Sequence, residues 1–210
     1  MKNNVIAVDG LSASGKGSLC SSLSKILNLP YLNTGALYRA IGLKLKQLNF
    51  NNFNNVSDLL GIASSIDFSK LEDPELFTEE IGGLASKVAK IQEVRDFLLK
   101  FQKDFCNNEK GAILDGRDTG TTICPEARYK FFITASAEER AKRRYKEMVE
   151  KGIDLDYETI LQKIKERDFN DINRPNSPLK KADDAIEIDT TNMGKEDVLN
   201  KVLEIININK

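Results

Sequence analysis

The segment Val8–Leu19 reads VDGLSASGKGSL and is rich in glycine and serine. The apolar segment Val5–Val8 leads into it, and residues compatible with a helix follow. Gly10, Gly15 and Lys16 stand at the positions of a phosphate-binding loop, in which four residues separate a glycine from a Gly-Lys pair. A strand, a glycine-rich loop and a helix in this order predict a loop that binds the phosphates of a nucleotide. The alternative is a polar turn with a surface lysine.

The residue after the lysine departs from the usual pattern. A serine or threonine normally follows there, but this chain has Gly17, and the hydroxyl comes one position later at Ser18. Glycines allow several backbone N–H groups to turn toward one anion, and the start of a helix and a lysine add positive charge. We expect Ser18 to reach an inner phosphate, with Mg²⁺ held mostly by nucleotide oxygens and water. The predicted loop residues are Gly10, Leu11, Ser12, Ala13, Ser14, Gly15, Lys16, Gly17 and Ser18.

Composition excludes several other kinds of site. The chain has 210 residues, of which 40% are hydrophobic, and this suits one domain of ordinary size with a real core. Histidine is absent, so Ser-His-Asp catalysis, Cys-His catalysis and imidazole metal sites are ruled out. The cysteines, Cys20, Cys106 and Cys124, form no CxxC pair, and we expect them to be scattered reduced thiols.

Charge and hydropathy set expectations about partners and location. The 31 basic and 32 acidic residues give a net charge of −1, so no overall basic field favours nucleic acid or an acidic membrane. The N-terminal apolar segment is too short for a signal peptide, and no apolar run approaches the length of a membrane span. We therefore expect a cytoplasmic monomer with small-molecule partners, and with neither nucleic acid nor membrane among them.

Short apolar segments alternate with longer amphipathic ones along the chain. This alternation predicts an α/β fold with a parallel sheet covered by helices on both faces. Ligands of such folds lie beyond the carboxyl ends of the strands. The predicted strands are Val5–Val8, Pro30–Leu32, Ala112–Leu114, Lys130–Ile133 and Ala185–Ile188. The predicted helices are Gly15–Leu27, Gly35–Leu48, Glu93–Phe105, Ala137–Lys151, Tyr157–Phe169 and Lys195–Ile206.

Two predicted helices have recognisable ends. Ser136 and Glu139 fit a capping box before the first, and Gly152 fits its stop. Asp156 fits the N-cap of the second. The two helices are densely charged, and a charged helical pair attached by its ends can move as a lid.

Motifs of other nucleotide-binding proteins are missing. A guanine-binding Asn-Lys-x-Asp would mark a GTPase, but Asn200-Lys201 continues with Val-Leu. The Leu-Ser-Gly-Gly-Gln signature of transporter ATPases is also absent from the sequence. The remaining interpretation is phosphate transfer to a small molecule.

Arginines stand where such a transfer needs them. Moving a phosphoryl group between two anions requires positive charge along the line of attack more than it requires a base. Arg167, Asp171 and Arg174 are spaced to share one helix face. For Arg140 the pattern equally allows a solvated helix face. The arginines singled out are Arg39, Arg117, Arg140, Arg143, Arg144, Arg167 and Arg174.

Six segments resemble the bacterial cytidylate kinases, in family order and across almost the whole chain: GLSASGKGSLC, LNTGALYRA, VRDFLLKFQ, LDGRDTGT, ASAEERAKRR and IKERDFNDINR. The Gly-Lys-Gly-Ser sequence is similar to nucleoside monophosphate kinases in general. The resemblance implies a P-loop parallel-sheet core (1–33, 108–143 and 176–210), a monophosphate-binding insert (34–107) and a lid (144–175). It implies transfer of the γ-phosphate of ATP to CMP or dCMP, with Mg²⁺, in pyrimidine metabolism.

The resemblance also implies roles for single residues. Arg143 and Arg144 resemble lid arginines that close over the transferring phosphate. Asp115 resembles a strand-end carboxylate that orients metal-bound water, and Ser18 is the second candidate for metal contact. The catalytic set would be Lys16, Arg117, Arg143, Arg144 and Arg174. The substrate-binding set would be Thr34, Arg39, Arg117 and Arg174 at the CMP phosphate, Ser86, Arg95 and Asp118 at cytosine, Arg167 and Asp171 at the sugar, and Tyr38.

The chain departs from the family pattern in a few places. Thr34 replaces a more usual serine, and Asn33 stands where aspartate is common. The segment between Asp67 and Glu80 scarcely has room for the small extra sheet that bacterial members often carry. Two alternatives stay open beside a cytidylate kinase, namely a kinase that accepts UMP equally and a nucleotide-binding regulator without catalysis. The intact lysine and the full arginine set argue against the regulator.

Overall fold

A computed structural model of the chain describes residues 4–150, 152–153 and 155–206. The strands are β1 Val5–Gly10, β2 Tyr31–Asn33, β3 Ala112–Gly116, β4 Tyr129–Thr134 and β5 Ile186–Asp189. The helices are α1 Lys16–Leu27, α2 Thr34–Gln47, α3 Val56–Ser64, α4 Glu79–Val88, α5 Gln92–Cys106, α6 Ala137–Glu150, α7 Tyr157–Asn173 and α8 Lys195–Ile205. A 3₁₀ turn spans Pro74–Phe77, and a π turn spans Thr119–Ile123.

The strands form one sheet in the order β2-β3-β1-β4-β5. β1 pairs in parallel with β3 and with β4, and β4 pairs in parallel with β5. The predicted α/β class with a parallel sheet is therefore confirmed. The segments that follow Gly10, Gly116 and Thr134 all leave the same edge of the sheet, and the candidate site is built there.

The core of the sheet is apolar and closely covered. Ile6, Val8 and Phe131 are almost fully buried and belong to one cluster with Leu23 of α1 and Val202 of α8. Their position in the centre of the sheet explains the continuous apolar runs that predicted these strands. The cluster fixes β1, and with it the loop that follows.

The described residues divide into two compact units. One comprises the residues up to Leu32 and from Cys106 onward, and the other comprises Asn33–Phe105. We refer to them as the sheet unit and the helical unit. The predicted boundaries of the insert (34–107) and of the lid (144–175) stay predictions.

The helical unit contains two helices that were not predicted, α3 and α4. Each carries glycine in its interior, which lowers the intrinsic helix propensity. Packing compensates: a Cβ on Gly42 of α2 would lie 3.1 Å from Leu84 Cβ and 3.2 Å from the Ala85 nitrogen of α4. Glycine at this position therefore lets α2 and α4 approach closely. Asn55 and Thr78 cap α3 and α4.

Helices α6 and α7 pack through a small apolar cluster that includes Met148 and Ile164. The predicted N-cap is confirmed, since Asp156 accepts a hydrogen bond from the Thr159 N–H at 2.9 Å. One prediction on this pair of helices is wrong. Helix α7 ends at Asn173, and Arg174 has an extended backbone after it, so Arg174 does not share a helix face with Arg167 and Asp171.

The expectation of scattered reduced thiols is also wrong for two of the cysteines. Cys106, at the end of α5, forms a disulfide with Cys124, and their Cα atoms lie 6.6 Å apart. Cys124 follows Cys106 at a sequence separation of 18, and the intervening segment includes β3 and the π turn, which return the chain to the end of α5. Sequence spacing gives no sign of this return. Cys20 is a free and buried thiol.

Within the described part of the chain, no helix has the length and apolar character needed to cross a membrane.

Candidate active site

The phosphate loop connects β1 to α1. Gly10 has φ of +145°, and a Cβ there would collide with the Ile133 carbonyl of β4, so only glycine fits. Gly15 has φ of +92° and immediately precedes the first residue of α1. The loop thus ends at a helix N-terminus, where free N–H groups and the helix dipole favour an anion.

Lys16 lies buried inside this loop. Its Nζ donates to the carbonyls of Gly10 at 3.0 Å and Leu11 at 2.6 Å, and it lies 3.4 Å from Ser14 Oγ. Burial, helped by the charge of Arg117, lowers the pKa of Lys16 to about 7. These hydrogen-bond partners are uncharged oxygen atoms. A phosphate anion placed beside the ammonium would favour its protonated form and so raise its pKa.

A strand-end carboxylate faces the loop. Asp115 is almost fully buried on β3, and its Oδ2 accepts a hydrogen bond from the Tyr31 hydroxyl at 2.8 Å. A Cβ on Gly17 would come within 3.7 Å of this same Oδ2. Burial raises the pKa of Asp115 above its ordinary value, although the charge of Lys16 opposes this. A cation beside Asp115 would offset the cost of its burial.

These residues fit a bound Mg²⁺. Mg²⁺ prefers oxygen ligands and is commonly held by one or two carboxylates together with substrate phosphates and water. Asp115 supplies a carboxylate next to the loop, and Ser18 is exposed on the first turn of α1. Among the described residues no group of three or more acidic or cysteine side chains could hold a metal by itself. A metal here would therefore depend on the nucleotide for most of its ligands.

Asp9 was not singled out from the sequence, yet it organises the neighbouring loop. It is buried at the end of β1 and accepts bonds from the Thr119 N–H at 2.8 Å, the Thr119 hydroxyl at 2.8 Å and the Gly120 N–H at 2.7 Å. These bonds anchor the π turn that follows Arg117 and Asp118. In the sequence, only the position of Asp9, one residue before the first loop glycine, indicated that it could belong to the site.

Arg117 forms a nearly buried ion pair with Asp171 of α7. The Nε–Oδ2 distance is 2.6 Å, and the side chains are 17% and 14% exposed. Burial alone would raise the pKa of Asp171, but the charges of Arg117, Arg167 and Arg174 lower it below its ordinary value. The structure thus joins a residue predicted for the phosphate to one predicted for the sugar.

Arg174 and Asp118 form a second ion pair. Arg174 Nη2 lies 3.3 Å from Asp118 Oδ1, with both side chains under 10% exposed, and Arg174 Nε donates to the Ser177 carbonyl at 2.6 Å. A predicted phosphate arginine therefore contacts a predicted base-reading carboxylate. Both predicted roles stay predictions, but the two residues belong to one network.

Arg140 is buried, which excludes the solvated helix face. Its guanidinium donates to the carbonyls of Ala135 at 2.9 Å and Ser12 at 3.0 Å, and it pairs with Asp168 Oδ2 at 2.6 Å. It therefore ties the phosphate loop to α7 within the sheet unit. The burial of Arg140 could not be predicted, because α6 is rich in charged residues and a sequence does not distinguish a buried arginine from a solvated one.

Removing the partner of Arg140 tests how much this contact stabilises the fold. We expect Asp168→Asn to lower the free energy of unfolding by about 1–2 kcal/mol, because a buried guanidinium loses its counter-charge. The control is Lys165→Gln, since Lys165 and Glu138 form a pair at 3.6 Å with 53% and 56% of their side chains exposed. That change should cost less than about 0.5 kcal/mol. Urea unfolding measures both, and equal losses would show that the Arg140 pair acts as a surface pair.

The two predicted lid arginines lie near the start of the charged helical pair. Arg143 donates to the Thr190 carbonyl at 2.6 Å and to Glu139 at 3.2 Å, and Arg144 donates to Glu147 at 3.1 Å. Arg143 is thus held to the loop after β5, while Arg144 contacts Glu147 on its own helix. Their predicted action on a transferring phosphate stays a prediction.

Apart from Arg167 on α7, the remaining predicted substrate residues lie in the helical unit. Arg95 is almost fully buried, with its guanidinium carbon 5.7 Å from the centre of the Tyr38 ring. Thr34 is buried at the first position of α2. Ser86 is half-buried on α4 and donates to the Gly82 carbonyl at 3.1 Å. The structure therefore brings Tyr38 and Arg95 together.

Within the helical unit, backbone carbonyls and an aromatic ring surround the guanidinium of Arg39. Its Nη1 donates to the carbonyls of Leu76 at 2.7 Å and Thr78 at 3.1 Å. The guanidinium carbon also lies 5.8 Å from the centre of the Phe77 ring. The 3₁₀ turn and the start of α4 thereby hold a predicted phosphate-binding arginine in a fixed place.

Comparison with known proteins identifies the family of this chain. The profile of the family described as cytidylate kinase matches residues 6–208. The cytidylate kinase of Caldicellulosiruptor saccharolyticus is 45% identical over 98% of this chain and 96% of its own, and that of Fusobacterium nucleatum is 43% identical over 95% of each. The crystal structure of an uncharacterized protein from Eubacterium ventriosum has a TM-score of 0.57 at 16% identity, covering 98% of this chain and 99% of that one, a likeness of fold alone. With its family profile matched almost from end to end, this chain belongs to the cytidylate kinase family.

Proposed function

We propose that this member of the cytidylate kinase family transfers the γ-phosphate of ATP to CMP or dCMP chiefly by charge and positioning. The observation that carries the proposal is the buried Lys16 inside a glycine loop, in electrostatic contact with Arg117, Asp115 and Asp171. Alternating charges of this kind suit two polyanionic substrates, because each phosphate can replace a carboxylate at a cation. The products are ADP and CDP or dCDP.

The donor half of the reaction uses the sheet unit. Residues 10–18 are proposed to surround the ATP phosphates, with Lys16 moving its bonds from the loop carbonyls to phosphate oxygens. Asp115 and Ser18 would hold Mg²⁺, and Mg²⁺ would neutralise charge on the phosphates. Tyr31 orients Asp115 through its hydroxyl.

The acceptor half is proposed to use the residues that the family resemblance assigns to CMP. Phosphate recognition is assigned to Thr34, Arg39, Arg117 and Arg174. The cytosine contacts are assigned to Ser86, Arg95 and Asp118, the sugar contacts to Arg167 and Asp171, and a further substrate contact to Tyr38. The ion pairs of Arg117 with Asp171 and of Arg174 with Asp118 support these assignments, since each holds an arginine ready with a partner that CMP can displace or share.

No strong general base is needed for this reaction. Phosphoryl transfer proceeds through a loose transition state whose charge is spread over oxygens, so cations that surround the moving group carry most of the catalysis. Arg143 and Arg144 are proposed to add to these cations when the lid closes. The absence of histidine from the sequence is consistent with this.

A coupled assay of ADP release tests the activity. Purified protein with ATP and Mg²⁺ should release ADP rapidly with CMP or dCMP, slowly with UMP, and scarcely without an acceptor. Equal rates with UMP and CMP would favour the broader kinase. ADP release that no monophosphate stimulates would favour a regulator. The expected monomeric state and cytoplasmic location stay predictions.

Lid movement can be measured by hydrogen exchange. A bisubstrate analogue that joins adenosine to cytidine through phosphates places several negative charges near α6 and α7, and the lid arginines should respond by closing and excluding water. We expect amide exchange in both helices to slow when the analogue binds, while α8, on the sheet, serves as the internal control. If the two helices exchange equally with and without the analogue, they form a static pair.

A further inference from the structure

We propose that Gly82 is a positioning residue that sets where the Arg39 guanidinium lies, and so contributes to recognition of the acceptor phosphate. The inference rests on the proposed function, which assigns Arg39 to the phosphate of CMP. Gly82 itself carries no side chain and touches no substrate in this account. Because Gly82 has no side chain, the guanidinium of Arg39 can lie directly beside it.

The geometry of this space is specific. A Cβ on Gly82 would lie 2.9 Å from Arg39 Nη2, 3.3 Å from Nη1 and 3.4 Å from the guanidinium carbon. All of the nearest atoms belong to Arg39, and the first of these distances is shorter than real Cβ contacts allow. Any side chain at this position therefore has to move the guanidinium.

The other sides of the guanidinium are already occupied. The carbonyls of Leu76 and Thr78 bind Nη1, and the Phe77 ring lies on a further side. We therefore expect a guanidinium that is displaced from Gly82 to turn relative to the two carbonyls that bind it. The charge would remain in the region, but the direction of its N–H groups would change, and hydrogen bonds to a phosphate depend on that direction.

The fold should tolerate the substitution. Gly82 lies in the interior of α4, where alanine is favoured over glycine, and the obstructing atoms are the far end of a flexible side chain. The neighbouring Gly83 offers a matched control. It lies on the same helix, is exposed, and a Cβ there meets nothing within 4 Å. Gly82→Ala and Gly83→Ala therefore make the same chemical change to one helix, and only the first reaches Arg39.

The experiment compares CMP with cytidine, which lacks the phosphate. The inhibition constant of cytidine divided by the dissociation constant of CMP reports how much the phosphate contributes to binding. We expect this ratio to fall about tenfold in Gly82→Ala, as when a charged hydrogen bond is lost, and to stay unchanged in Gly83→Ala. The KM for ATP should not change in either variant, and both should melt at or above the temperature of the natural protein.

A double variant shows whether the effect passes through Arg39. In an Arg39→Ala background, adding Gly82→Ala should change the ratio no further, because the group that it displaces is gone. If Gly82→Ala alone is unstable and Arg39→Ala restores its folding, the clash is demonstrated directly. An unchanged ratio in Gly82→Ala, or an equal fall in Gly83→Ala, would overturn the inference while leaving the kinase activity intact. An unchanged ratio in Arg39→Ala would overturn it through the role of Arg39, whereas a natural protein that does not phosphorylate CMP would refute the proposed function itself.

Discussion

Lys16→Ala is expected to lower kcat by about 10²–10³-fold while the protein stays folded. The loss of one charge contact that acts on the transition state commonly has an effect of this size. Lys16 donates hydrogen bonds to loop carbonyls, and burial disfavours its charged form. We therefore expect its removal to have little effect on folding stability. Steady-state turnover of ATP and CMP, together with thermal melting, measures the two effects separately.

The control for this prediction is Lys25→Ala. Lys25 lies exposed in the last turn of the same helix, so Lys25→Ala makes the same substitution but leaves the loop intact. Its turnover should match that of the natural protein. Near-normal turnover of Lys16→Ala with unchanged melting would refute the proposal that residues 10–18 bind the phosphates of ATP.

Asp118→Asn is expected to abolish discrimination between CMP and UMP. Cytosine presents an amino donor where uracil presents a carbonyl, and a carboxylate accepts from the first and repels the second. Mispairing a buried charged group costs about 1–3 kcal/mol or more, so we expect the natural enzyme to prefer CMP by roughly 10²-fold or more. An asparagine amide can donate to the uracil carbonyl, and the ratio should approach unity mainly through loss of CMP activity.

The competing explanation is that Asp118 only supports an arginine. The structure identifies that arginine as Arg174, whose Nη2 lies 3.3 Å from Asp118 Oδ1. A purely supporting role predicts that kcat/KM for CMP and for UMP fall by the same factor. Arg174→Ala is the control that shows this pattern, because a phosphate arginine serves both substrates alike. A constant CMP/UMP ratio in Asp118→Asn would defeat the base-reading role.

The sheet could be predicted from the sequence because its signals are local. Val5–Val8 and Lys130–Ile133 are apolar-rich and lie inside the observed strands β1 and β4. Helices α3 and α4 could not be predicted in the same way, since Gly61, Gly82 and Gly83 weaken their propensity. Their stability comes from packing against α2, and packing between helices distant in sequence leaves little trace in either segment.

The sequence indicates candidate site residues but not the partners that they contact in the structure. Family motifs led to Lys16, Arg117 and Asp171, and the predicted cytidylate kinase family is confirmed by the profile and the curated relatives. The pairing of Arg117 with Asp171 depends on how α7 returns to the sheet edge, which no local pattern encodes. The Arg140–Asp168 pair and the Cys106–Cys124 disulfide could not be predicted either, because they too join segments that only the fold brings together.

A competition experiment shows which nucleoside monophosphate the protein phosphorylates. The protein is incubated with Mg²⁺, ATP labelled at the γ-phosphate, and an equimolar mixture of CMP, UMP, AMP and GMP, and the labelled nucleoside diphosphates are separated by chromatography. Since all acceptors compete for one enzyme, the initial product ratio equals the ratio of their kcat/KM values. A cytidylate kinase should place almost all of the label in CDP. Label shared equally between CDP and UDP, or label released only as inorganic phosphate, would contradict it.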